Sequence, residues 1–97
     1  MEMPLAGMID NITWTHDGAM LCCVQVDDMA GLFQKVAATG KADGPFQAVR
    51  IDPNTLETKI LLADETPGFF ATTVLQVGPQ AIWASSAFGN RVLAFDL

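Results

Sequence analysis

The chain has 97 residues and a net charge of −6, with 51% hydrophobic and only 16% charged residues. Its five basic residues, Lys35, Lys41, Arg50, Lys59 and Arg91, are scattered, so no positive patch is offered to nucleic acid or to an anionic membrane. A chain this short buries roughly 60% of its unfolded surface when it folds alone, and ordinary globular chains carry about 25% charged residues. Apolar surface covered by a second copy is therefore favoured over a tightly packed small core.

The opening Met1-Glu2-Met3-Pro4-Leu5 carries no basic run ahead of an apolar segment, so no signal peptide is expected. No apolar stretch approaches the ~20 residues of a transmembrane helix. A soluble cytoplasmic protein is expected. Cys22 and Cys23 are adjacent. On a strand they point to opposite faces and cannot staple distant segments, so they read as small buried hydrophobes in a reducing compartment.

Taken in order, the chain begins with a short irregular lead over residues 1–8. Strands follow at about 9–15 and 20–26, with Ile12, Trp14, Met20, Cys22 and Val24 alternating onto one face. His16-Asp17-Gly18 between them is a hairpin turn, since Asp-Gly tolerates positive φ. Asp27-Asp28 offers an N-cap. Met29, Leu32, Phe33, Val36 and Ala37 then form one helical stripe that ends at Gly40, which predicts a helix over 28–38. That stripe is expected to pack on a sheet or on a neighbouring subunit.

Lys41–Pro45 reads as a loop and 46–52 as a strand, with Phe46 and Ala48 on one side and Val49 and Ile51 on the other. Asp52-Pro53-Asn54-Thr55 is a turn in which Pro53 presets φ and Asn54 takes the tight position. Further strands are expected at 58–63, 69–77, 81–87 and 91–97, separated by Asp64–Gly68, Gly78-Pro79-Gln80 and Phe88-Gly89-Asn90. About seven short strands with such turns make a mainly β, antiparallel fold. The segments Ile12–Cys23 and Val74–Ser85 repeat the order strand, Gly-containing turn, strand at an offset of about sixty residues, which places four strands in a first unit (9–66) and three in a second (69–97) of one domain.

Three runs carry a resemblance: Asp10-Asn11-Ile12 before its hairpin, Phe46-Gln47-Ala48-Val49-Arg50-Ile51-Asp52-Pro53, and Thr73-Val74-Leu75-Gln76-Val77-Gly78 with Ile82-Trp83-Ala84-Ser85 and Arg91–Leu97. In this order they resemble the last two blades of the six-bladed propellers of the SMP-30/gluconolactonase and paraoxonase-like family. The resemblance implies two propeller-like blades with one inserted helix. It implies a divalent cation, Ca²⁺ above all, in a central channel, with Asp10 and Asn11 as ligands, and hydrolysis of lactones or aryl esters. Gln25 stands near the place where some relatives carry an active-site His, and Thr72 and Thr73, with Ser85 and Ser86, read either as the lining of a channel mouth or, equally, as ordinary sheet residues. The family's Glu and its further Asn ligands have no counterpart here, and Ca²⁺ ordinarily takes 6–8 oxygens.

Most of these residues also have plain structural readings. Asp10 and Asn11 read first as turn or cap residues, ahead of a metal or ligand role. His16, the only histidine, reads as exposed and idle in its turn. Trp14 and Trp83 read as packing anchors, and Trp is also favoured at interfaces. Met29 and Phe33 read as stripe residues and interface candidates. No nucleophile elbow, phosphate loop or zinc spacing is present.

A propeller blade has two apolar faces that each need a neighbour. The leading expectation is thus a non-catalytic, self-associating propeller-fragment module that needs no cofactor and takes a small-molecule or protein ligand. It assembles as a two-fold dimer or as a closed ring, in which three copies make about six blades. The alternative is a divalent-metal-dependent lactonase or arylesterase built from several copies. A chain docking on a separate partner that supplies the other blades ranks third. A self-contained sandwich, its sheet covered by the helix, is the competing architecture.

Overall fold

The computed structural model describes residues 5, 7–26, 29–40, 44–66, 69–86 and 90–97. Its strands are β1 (Met8–Trp14), β2 (Met20–Gln25), β3 (Phe46–Ile51), β4 (Thr58–Asp64), β5 (Ala71–Val77), β6 (Ala81–Ser86) and β7 (Val92–Asp96), with helix α1 (Met29–Thr39) between β2 and β3. The strands form two antiparallel sheets, ordered β1-β2-β3-β4 and β5-β6-β7. The fold is mainly β, and each sheet is an up-and-down antiparallel meander.

Local chemistry explains the element ends. The β1–β2 turn closes through Thr15 N–H to Ala19 O at 2.8 Å and Gly18 N–H to Thr15 O at 3.2 Å, with Gly18 at φ +88°. Helix α1 stops where Gly40 enters the left-handed region (φ 70°) and donates its N–H to Val36 O at 2.8 Å. The proposed N-cap at Asp27-Asp28 lies outside the described residues, as do Lys41–Asp43 of the following loop, Pro67-Gly68 and Phe88-Gly89 of the later turns, and most of the lead. In the β3–β4 turn the Asp52 carboxylate accepts the N–H groups of Asn54 (2.8 Å) and Thr55 (3.2 Å). The left-handed residue there is Leu56 (φ 59°), not Asn54. Leu56 is held there because its side chain packs against buried Cys22, Val24, Val49 and Ile51, a gain Asn could not match.

The core follows from alternation on β2 and β3. Cys22, Val24, Val49 and Ile51 point to one face of the four-stranded sheet, and Leu21, Cys23, Phe46 and Ala48 point to the other. The second set meets Phe69, Ala71, Val74, Ile82 and Ala84 from the three-stranded sheet, and this contact joins the sheets. Each fully buried large side chain contributes about 1.5–3 kcal/mol. A register shift between Ala48 and Val49 leaves Leu61 as an extra residue on β4, so that Leu61 and Leu62 both pack on this core. The Phe46 ring lies 6.2 Å from Phe69 and 6.1 Å from Phe95, tilted and edge-on.

The helix does not cover a sheet. Phe33 is 65% exposed and Val36 is also exposed, so the sandwich architecture with a helical cover is not the one found. The middle of the first sheet's outer face is instead shielded by Leu5, Met20 and Leu56. Its edge strand β1 remains open on that face, with Ile9, Ile12 and Trp14 exposed, Trp14 by 65%. The outer face of the second sheet is open too, at Leu75, Trp83 (48% exposed) and Val92. Trp14 and Trp83 are thus not part of the buried core.

Candidate functional site

The residues singled out from the sequence converge where the two sheets meet. A register shift between Ile9 and Ile12 makes Asp10-Asn11 a bulge on β1, and a second shift between Ala71 and Thr73 makes Thr72 a bulge on β5. Bulges re-aim side chains away from the strict alternation of a ladder. Asn11 donates Nδ2–H to Thr73 Oγ1 at 2.7 Å and to Thr72 O at 3.3 Å. Gln25, buried at the end of β2, donates Nε2–H to Ala71 O at 2.6 Å and to Asp10 Oδ2 at 3.1 Å. Thr13 Oγ1 donates to Val74 O at 2.8 Å. Thus Asp10, Asn11, Gln25, Thr72 and Thr73 form one polar seam along β1, β2 and β5.

The seam's hydrogen bonds have a structural use. β5 packs against both β1 and β2, yet its backbone pairs only with β6. Its outward carbonyls at Ala71, Thr72 and Val74 therefore need partners, and Gln25, Asn11 and Thr13 supply them. Gly7 approaches the same place, where a Cβ would overlap the Gln25 carbonyl oxygen.

As a cation site the seam is poor. Asp10 brings one carboxylate, already engaged by Gln25, and Asn11 turns its amide nitrogen to Thr73. Among the described residues no group of three or more His, Cys, Asp or Glu is placed to hold a metal ion. One carboxylate and one amide do not meet the 6–8 oxygens of Ca²⁺, so the described residues of the seam do not fit this cation by themselves.

The other candidates are separate from the seam. His16 is exposed in its turn, and Phe33 is exposed on α1. The side chain of Met29 lies outside the described residues. Both cysteines are buried and free, on opposite faces of β2. Burial, reinforced by the Asp10 charge, raises both thiols, Cys23 to about 12, so neither is a ready nucleophile or ligand. Arg50 grips Asp17 with two bonds, NH1 to Oδ1 at 3.0 Å and NH2 to Oδ2 at 2.9 Å, and ties the β1–β2 turn to β3. The guanidinium, with Thr15 Oγ1–H, holds the Asp17 carboxyl well below the usual carboxylate range.

A second feature was not legible in the sequence. Thr73, Leu75, Trp83, Ala84, Ser85 and Val92 line a shallow depression of about 220 Å³ on the outer face of the second sheet. Leu75 stands directly across from Trp83, which stands across from Ala94. Alternation groups Thr73, Leu75, Trp83, Ser85 and Val92 on one face, but the opposite face of the same strands, Val74, Ile82 and Ala84, is equally apolar. Only the packing tells which of the two is covered.

No protein-family model, curated protein or solved structure matches the chain.

Proposed function

We propose that the chain is a non-catalytic, self-associating β-propeller-fragment module descended from an SMP-30/paraoxonase-like ancestor. The observation that carries this reading is the pair of open apolar faces. Ile9, Ile12 and Trp14 stand exposed on one side of the two-sheet body, and Leu75, Trp83 and Val92 on the other. Contiguous apolar patches of this kind mark association surfaces. Two blade-like sheets with open outer sides have the form of a repeat array lacking its neighbours.

Acidic charge keeps the assembly soluble and away from nucleic acid. Among the described residues no helix is long and apolar enough to cross a membrane. The two buried, unpaired thiols fit a reducing cytoplasm. No metal enters this reading. Light scattering on the eluting protein at micromolar concentration is the test. The expected mass is a multiple of 10.4 kDa, and a single 10.4 kDa species would sink the proposal.

A second reading, a divalent-metal-dependent lactone or ester hydrolase assembled from several copies, is favoured by one observation, the convergence of Asp10, Asn11, Gln25, Thr72 and Thr73 at the inner seam. Several copies around an axis would multiply the single carboxylate. Calorimetric titration with Ca²⁺, and aryl-ester turnover by the wild type and Asp10→Ala, decide it. No binding heat and no turnover removes it and leaves the first reading intact.

A further inference from the structure

The internal repeat says how copies meet. Asn11 and Thr73, the pair bonded across the seam, are 62 residues apart. The same spacing carries Ile12 and its partner Cys22 onto Val74 and its partner Ala84. The spacing therefore superposes β1 and β2 on β5 and β6, bulges included. It carries Thr13 and Leu21, which face the second sheet, onto Leu75 and Trp83, which face solvent. It carries exposed Ile12 onto Val74, which is fully buried beneath the first sheet.

Resting on the self-association reading above, we infer that copies join head to tail, with Leu75 and Trp83 of one copy seated on Ile9, Ile12 and Trp14 of the next. This is the chain's own sheet-to-sheet contact repeated between copies. In that internal contact the edge strand of the second sheet, β5, packs on β1 and β2 of the first. The repeated contact therefore needs β1 of the next copy to pack on β5 and β6. The exposed apolar side chains stand on those strands: Ile9, Ile12 and Trp14 on β1, Leu75 on β5 and Trp83 on β6. The outer part of the head face, already shielded by Leu5 and Leu56, is not required. The same operation brings Thr73 of one copy to Asn11 of the next, so the polar seam is extended by a partner's residue at each junction. The two surfaces differ, so the contact is heterologous. It closes into a ring or runs on as a filament, and it does not produce a two-fold dimer.

Two blocked variants test this. Trp83→Glu spoils the tail and Ile12→Glu spoils the head, and both residues are exposed, so the fold should survive, as far-UV circular dichroism and melting will show. Leu75→Glu and Trp14→Glu replace them if either variant fails to fold. Each variant alone is expected to sediment at the 10.4 kDa of one chain. An equimolar mixture should form a one-to-one pair that grows no further, because one good tail and one good head remain. The doubly blocked chain should pair with neither. Three results overturn the inference while leaving self-association standing. These are a single variant that keeps the wild-type mass, a mixture that stays monomeric above the concentration at which the wild type assembles, and a mixture that grows beyond a pair. A monomeric wild type overturns both, and is recognised before any variant is made.

Discussion

Replacing Gln25 with methionine keeps the side chain's length and removes its two donors. In the native chain Nε2 reaches Ala71 O at 2.6 Å and Asp10 Oδ2 at 3.1 Å, and the residue is buried. The substitution leaves the Ala71 carbonyl with only the weak Cys23 Sγ–H donor at 3.4 Å and takes from Asp10 Oδ2 its Gln25 partner, a combined loss of about 1–3 kcal/mol. Methionine fills the same space, so little cavity cost is added. For a domain of this size about 2 kcal/mol lowers the melting temperature by roughly 8–16 °C. Urea unfolding at one fixed chain concentration, followed by circular dichroism, should show a lower midpoint with an unchanged slope. Combining Gln25→Met with Asp10→Ala should cost less than the two separate losses added together, because the second change removes a partner already lost. A loss below about 0.5 kcal/mol for Gln25→Met, or full additivity of the pair, would show that the seam does not hold the sheets together, since exposed substitutions without a role fall within that range.

Asp17 and Arg50 give a pH signature. The Asp17 carboxyl is depressed chiefly by the Arg50 hydrogen bonds, so the pair's stabilisation is present above the unfolded carboxylate value of about 3.9 and is lost as the pH falls through the lower folded value. Melting curves of the wild type and Arg50→Met should therefore differ at pH 6 and converge in strong acid, and a gap independent of pH would contradict the assignment. The thiols give the opposite sign. Burial raises them, Cys23 to about 12, so the stability they contribute is present below the unfolded value of about 8.5 and declines as the pH rises toward the folded one. Native protein at pH 8 should leave a thiol reagent such as Ellman's unreacted until denaturant is added, and prompt labelling of either cysteine would refute that burial.

Much of this fold is written in short-range chemistry. Asp17-Gly18, Gly40, Asp52-Pro53 and Gly78-Pro79 mark real turns and ends, and the alternation of Met20–Val24 sorts Cys22 from Cys23. What escaped the sequence depends on distant partners. Asn54 has the better intrinsic tolerance for a left-handed position, yet Leu56 takes it, because the cluster beneath rewards a leucine. The stripe Leu32, Phe33 and Val36 has the right period for a buried face, but period alone names no neighbour, and Phe33 and Val36 stand exposed. The candidate residues Asp10, Asn11, Gln25, Thr72 and Thr73 were individually visible. Their convergence rests on two bulges and on β5 lying against β1, which no local pattern encodes.

Helix α1 allows a last test of how the molecule is held. It spans 11 residues and includes Gly31, so its intrinsic stability in water is marginal. Among the described residues no strand packs extensively against it. Its opening should therefore cost far less than the global unfolding that exposes Leu21, Val24 and Val49. Hydrogen exchange read by amide is expected to show α1 exchanging early and β2 and β3 last. Were the amides of α1 as slow as those of β2, Phe33 and Val36 would have to be covered in solution, and the helix, rather than the two sheet faces, would be the surface through which copies meet.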